Sequence, residues 1–329
     1  MSNLLVQVSK TGPSSVLQVI TKEIPKPAPN GLVIKNAYAG LNYIDTYLRT
    51  GLYTAPLPYI PGKEAAGVVA AVGDKVEADF KVGDRVVYLT PFGAYAQYTN
   101  VPTTLVSKVS EKIPLKIASA ALLQGLTAYT LIEEAYPVKT GDTVVVHAAA
   151  GGVGLLLCQM LRARNVHVIA TASTAAKRRI AIKNGAEIAC SYEDLTKVVA
   201  DYTNGKGVDA AYDSVGIDTL SSSLDALRNG GTMVSFGNAS GAIDAIPLKF
   251  LSARCLKFVR PSLFGYITGH AVFEGYVSRL WKEILDNNLN IAIHHIFKLS
   301  EAKEAHDAIE SRATTGKLLL LCNEDLADA

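Results

Sequence analysis

Six residues, Ala149-Ala150-Gly151-Gly152-Val153-Gly154, follow an apolar run, Thr143–His147, and lead into a segment that reads as a helix, Gly152–Arg164. In a turn of the form G-x-G-x-x-G the second glycine lets the backbone approach a pyrophosphate, and the third lets the helix pack closely on the strand. Ala149, Gly151 and Gly154 hold the three positions here. The free N–H groups at the start of the helix then face phosphate charge. A strand before the turn and a helix after it, inside a β-α-β series, distinguish this pattern from a chance run of glycines. A tight turn with no ligand is the competing reading. About twenty residues further on, where a carboxylate would bind the ribose hydroxyls of NAD, the chain has Ser173 followed by Lys177, Arg178 and Arg179. A carboxylate there would repel a 2′-phosphate. Ser173 can donate a hydrogen bond to that phosphate and Lys177 can supply charge, so NADPH is the expected cofactor. The same basic run also has a plainer reading, as the solvated face of a helix.

The elements that must position this turn follow from periodicity. Leu4–Val8, Val16–Val19, Gly31–Ala39, Ala65–Val72 and Arg85–Leu89 are short, rich in branched residues and separated by Gly, Pro and Asp, which predicts a strand-rich first third. The rhythm then changes. Thr143–His147, Val166–Ala170, Glu187–Cys190, Val208–Asp213 and Thr232–Phe236 read as strands, with a sixth near Cys255–Val259. Helices are expected at Gly152–Arg164, Thr174–Asn184, Asp194–Tyr202 and Thr219–Leu227. Such alternation predicts a doubly wound α/β sheet. Past Pro261 come helices near Ala271–Asp286 and Ser300–Ser311 and a strand at Leu318–Leu321.

Bulk properties narrow the function classes. A chain of 329 residues favours two domains. The net charge of +2 makes no electrostatic case for nucleic acid. No stretch is expected to combine the length and apolarity of a membrane helix, and no signal peptide is read at Met1–Val6. Cys158, Cys190, Cys255 and Cys322 are scattered, which argues against a disulfide framework or zinc cluster and for small buried residues in a reducing cytoplasm. A nuclear pool stays open.

Several stretches together carry a resemblance: Ala39–Tyr47, Pro61–Gly67, Val82–Val86, Gln124–Ala128, His147–Gly154, Tyr212–Gly216 and Arg260–Phe264. In this order they resemble the zeta-crystallin-like NADPH:quinone reductases, within the medium-chain dehydrogenase/reductase superfamily. The resemblance implies a GroES-like, partly β-barrel catalytic domain from residues 1–123 and 267–329. A Rossmann domain, 124–266, would be inserted between them. It also implies a homodimer joined through edge strands near Cys255–Val259. Zinc-dependent relatives carry Cys where Asn42 stands and His where Lys63 stands. An amide binds zinc weakly and an ammonium does not bind it, so the expected chemistry is metal-free.

Without a metal, negative charge developing on a quinone oxygen must be met by hydrogen-bond donors. Asn42, Tyr47 and Tyr53 are the candidates implied by the resemblance. It further implies cofactor contacts from Asn42, Asp45, Thr127, Ala150, Gly151, Gly152, Val153, Gly154, Ser173, Lys177, Tyr192, Val215, Phe236, Gly237, Phe264, Arg312 and Lys317. Among these, Tyr192 would lie beside the adenine or its ribose, and Arg312 or Lys317 would reach phosphates. Asp45 reads equally as the cap of a helix around Thr46–Arg49. Two alternatives remain: reduction of the activated C=C bond of alkenals or enones, and binding of AU-rich single-stranded RNA through the basic clusters Lys177–Arg179 and Arg254–Arg260.

Overall fold

The computed structural model describes residues 2–327, which form two compact units. One contains the described residues up to Leu123, Ile267–Arg279 and those from Ile293 onward; the other contains Gln124–Tyr266 and Leu280–Ala292.

The first unit begins with β1 (Ser2–Val8), β2 (Leu17–Glu23) and β3 (Gly31–Leu41). Helix α1 (Tyr43–Thr50) follows, then β4 (Glu64–Val72), β5 (Arg85–Leu89), β6 (Tyr98–Pro102) and β7 (Val106–Lys108). Strand β2 starts later than expected, because a tight turn closed by Val16 N–H on Pro13 O occupies Ser14–Val16. Helix α2 (Leu115–Thr130) was not foreseen. With the wider turn that continues it, Leu115–Ala135 is long and apolar enough by length and composition to cross a bilayer, contrary to the expectation above. Some 78% of its most apolar window is buried inside the protein, as for a core helix.

The second unit alternates strands and helices: β8 (Thr143–Val146), α3 (Gly152–Ala163), β9 (His167–Thr171), α4 (Ala175–Lys183), β10 (Ile188–Cys190), α5 (Leu195–Tyr202), β11 (Val208–Asp213), α6 (Leu220–Ala226), β12 (Leu227–Ser235), α7 (Lys249–Ser252) and β13 (Lys257–Val259). Its six strands are all parallel, in the order β10-β9-β8-β11-β12-β13. This is the doubly wound order, reversing between β8 and β11. Buried valines fill β8, as a sheet covered on both faces requires. The chain continues through α8 (Leu263–Tyr266) and α9 (His270–Asp286), whose residues up to Arg279 belong to the first unit, and ends in that unit with β14 (Ile293–Lys298), α10 (Ala302–Glu310) and β15 (Lys317–Leu321) among the described residues.

In the first unit the sheet forks at β3. Along one side β3 pairs antiparallel with β4; along the other, β6 takes its first half and β15 its last four residues. Alternating residues of β3, β4, β5 and β15, among them Leu32, Ile34, Ala65, Val86, Leu318 and Leu320, meet in one core with Tyr95 and with Ala305 and Ile309 of α10.

Leu280–Ala292 belongs with the nucleotide-type unit, not with the other domain as expected. Arg164, at the end of α3, supplies one reason. Its guanidinium forks between Glu133 at 2.9 Å and Glu283 at 2.6 Å, which fastens α9 there. Gln159 exchanges two hydrogen bonds with the backbone of Asn290. The hydrogen of Gly125 makes room for Leu280, whose Cδ1 would lie 2.7 Å from a Cβ. Cys158, Cys190 and Cys322 are buried as expected; Cys255 is exposed, on a residue with φ +52°, just before β13.

Candidate active site and cofactor-binding turn

In the first unit the site is built where β3 hands the chain to α1. Asn42 is the N-cap of α1, and Asp45, in the first turn, completes a capping box with it. Its carboxylate reaches back to accept the Asn42 backbone N–H at 2.9 Å and the Tyr95 hydroxyl at 3.0 Å. Asp45 is 1% exposed, and burial pushes its carboxyl up to about 6, against the donors Asn42 and Tyr95 and the charges of Lys63 and Lys317.

The Asn42 side chain does not act as the free donor that the sequence suggested. Its amide donates to Glu64 Oε1 at 2.8 Å and to Gly40 O at 3.3 Å. Its oxygen accepts from the Lys317 ammonium at 2.6 Å. Lys317 is likewise committed to protein groups rather than to phosphates: it is 3% exposed and lies 2.5 Å from Glu64 Oε1. The physical reason is Glu64, fully buried on β4, whose charge must be met. The Leu123 N–H serves its second oxygen at 2.7 Å. Lys63, where a zinc ligand would be needed, donates to Pro91 O at 2.9 Å and lies 5.1 Å above the Phe92 ring. Burial pulls its pKa down while Asp45 opposes this. An amide, an ammonium and a carboxylate already bound to another ammonium do not suit a zinc ion.

Tyr47 and Tyr53 come together at the end of α1. Their rings meet edge to face at 5.4 Å, and Tyr53 N–H donates to Tyr47 O. Tyr47 is buried and Tyr53 half-buried. Arg312 is exposed, on a left-handed residue in the turn before β15.

In the second unit the turn lies at the carboxyl end of β8, beside the point where strand order reverses. Gly151 is the N-cap of α3 and offers no side chain to the first N–H groups, those of Gly152, Val153 and Gly154, which helix geometry leaves without partners inside the helix. A Cβ on Gly154 would lie 2.6 Å from Ala148 O, so only glycine allows this approach of helix to turn. These features fit a dinucleotide pyrophosphate. Ser173 is exposed after β9, and Thr174 caps α4 by accepting Lys177 N–H at 3.2 Å. The Lys177 ammonium is half-buried, and desolvation lowers its pKa.

Val215, Phe236 and Gly237 line the neighbouring strand ends. Phe236 N–H donates to Asp213 O, and Gly237 packs directly on Ser214 O, where no Cβ would fit. Arg260, which was not singled out for the cofactor, organises this loop by donating to Ser235 Oγ, Gly237 O and Asn238 Oδ1. Tyr192 follows β10, Phe264 sits in α8 and Thr127 in α2; all three are half-buried. The basic clusters behind the RNA reading also serve the fold. Arg178 donates to Ala172 O and Arg254 to Leu224 O and Leu227 O.

Comparison with known proteins agrees with both halves. Residues 28–111 match the alcohol dehydrogenase GroES-like domain, and 152–284 match the zinc-binding dehydrogenase family. Quinone oxidoreductase 1 of Escherichia coli K12 is 40% identical over 323 residues, covering 96% of this chain and 98% of the relative. The chain belongs to the zinc-free quinone oxidoreductases of the medium-chain dehydrogenase/reductase superfamily. A solved E. coli quinone oxidoreductase, complexed with NADPH, superposes with a TM-score of 0.94 at 39% identity, over 97% of this chain and 99% of that one. A 2-haloacrylate reductase from a Burkholderia species is 36% identical, over 95% of this chain and 96% of the relative. Within this quinone oxidoreductase fold, Asn42, Glu64 and Lys317 bind one another at the start of α1.

Two outcomes follow. Lys317→Met strands the Glu64 charge and should lower unfolding free energy by about 3–5 kcal/mol, whereas Lys317→Met with Glu64→Gln should recover most of that loss in denaturant titrations. For Asp45, the folded protein holds its proton to a higher pH than the unfolded chain does. Its ionisation therefore erodes stability as pH rises from about 4 to about 6. Asp45→Asn should gain on the wild type across that window, by on the order of 2–3 kcal/mol by pH 7, measured as unfolding midpoints against pH.

Proposed function

We propose that this chain is an NADPH-dependent quinone reductase. The observation that carries this is the turn His147–Gly154 with Ser173 and Lys177 after the next strand, in a chain that aligns end to end with quinone oxidoreductases. When bound, NADPH supplies the hydride. The α3 N-terminus holds the pyrophosphate, and Ser173 and Lys177 hold the 2′-phosphate. Tyr192, Val215, Phe236, Gly237, Phe264 and Thr127 border the rest of the cofactor. Tyr47 and Tyr53 orient the quinone ring and donate hydrogen bonds to its reduced oxygen. The Lys317–Glu64–Asn42 cluster fixes the start of α1, on which both tyrosines depend. A second acceptor class, activated alkenes, is favoured by the haloacrylate reductase relative. Subunits pair as a homodimer: β13 ends the six-stranded sheet with an open edge, and Leu248 and Phe250 just before it are exposed.

The decisive experiment is steady-state turnover of NADPH with ortho-quinones, para-quinones and enals; no turnover with any of them overturns the reading. Lys177→Ala should weaken NADPH binding roughly ten- to hundredfold and NADH binding less than about twofold. Equal losses would remove Lys177 from the 2′-phosphate site. Sedimentation should give about twice the chain mass of 34.9 kDa.

A further inference from the structure

Beneath the cofactor turn runs a buried polar chain that hydride transfer does not use. His147, 1% exposed, directly follows β8 and immediately precedes the turn. Its Nδ1 lies 2.8 Å from Thr171 Oγ1, at the end of β9, and its Nε2 lies 2.9 Å from Ser223 Oγ on α6. Ser223 Oγ is in turn 2.8 Å from Asp213 Oδ2, at the end of β11. Asp213 is fully buried and receives three further donors: Thr219 Oγ1 at 2.7 Å, Val215 N at 2.7 Å and Gly216 N at 3.1 Å.

These contacts fix the protons. With four donors converging on it, Asp213 is a carboxylate. The single hydrogen of Ser223 goes to Asp213, so Ser223 can only accept from His147. The imidazole therefore carries its proton on Nε2, and Nδ1 accepts from the Thr171 hydroxyl. Burial, which lowers the His147 pKa, agrees with a neutral ring.

The same polar chain borders the proposed cofactor site in three places. Tyr192 stacks parallel to the His147 ring, with planes 4° apart and centroids at 5.9 Å. The Val215 N–H is held by the carboxylate at the far end of the chain. The next residue, Ala148, sits at φ +47°, a conformation that costs an alanine about 1–2 kcal/mol and that its surroundings must enforce. Thr171 helps enforce it twice: its hydroxyl bonds His147 and its carbonyl accepts Ala149 N–H.

We propose that His147 is a positioning residue for the dinucleotide: a neutral imidazole, locked in one tautomer, that fixes the pyrophosphate turn, the Tyr192 ring and the Val215 backbone relative to one another. It contributes affinity by preorganisation rather than by contact. The inference rests on NADPH being the cofactor, so the test begins by titrating the wild-type chain with NADPH. No binding there overturns that underlying reading.

Given wild-type binding, three full-length variants separate the roles. Ser223→Ala removes the link but leaves Asp213 three donors. His147→Phe keeps a ring behind Tyr192 without either hydrogen bond. His147→Gln keeps the donor to Ser223 without the ring. Each folded variant should raise the NADPH Kd and KM about tenfold, while kcat at saturating NADPH and the quinone KM stay within about twofold. The losses of His147→Gln and Tyr192→Ala should not add, because both remove the same stack. A purely structural role would lower kcat and stability together and leave the NADPH KM unchanged, which overturns the proposal, as does additivity with Tyr192→Ala. Should the His147 variants not fold, Ser223→Ala alone decides: an unchanged NADPH Kd overturns the proposal.

Discussion

The strand-rich unit depends on one buried ammonium. Lys317 opens β15, Glu64 opens β4 and Asn42 caps α1, so a single cluster joins the return of the chain, the centre of the forked sheet and the helix that carries Tyr47. A buried carboxylate without a cation would cost several kcal/mol, and this requirement selects the register in which β15 meets β3. The same cluster takes up both ends of the Asn42 amide and directs it inward. The ammonium, the carboxylate and the amide thus satisfy one another inside the unit.

The nucleotide unit is governed by a different constraint. Its turn must expose backbone N–H groups while every polar group beneath it is satisfied. Three strand ends supply the partners: His147 from β8, Thr171 from β9 and Asp213 from β11. Gly154 allows the helix to close on the turn, and the loop after β12 is held by Arg260 from the strand beyond. The site is thus a surface of backbone groups supported by a buried layer of side chains.

Much of this was legible in the sequence because local chemistry demanded it. Gly154 is required by close approach, and β11 and β5 could be bounded at Val208–Asp213 and Arg85–Leu89 from branched residues between turn formers. Helix α2 escaped because its polar residues are few and mixed with alanine and leucine, so Leu115–Thr130 shows only a faint stripe. The fate of Lys317 escaped for another reason. Its partners lie 275 and 253 residues away, and no periodicity records a contact of that separation. The buried polar layer did leave a signal: His147 and Asp213 are polar residues closing apolar strands, where a side chain must find partners at the sheet's carboxyl edge.

The forked sheet also sets an order of events during synthesis. Leu41, Gly40, Ala39 and Tyr38 of β3 pair with β15, the last strand among the described residues. A ribosome therefore completes the parallel-sheet unit while half of one β3 edge still lacks its neighbour. Throughout that interval the Glu64 charge waits for its ammonium. A nascent chain stalled before Lys317 presents an open apolar strand next to an uncompensated carboxylate, which is the form most exposed to chaperones and proteases.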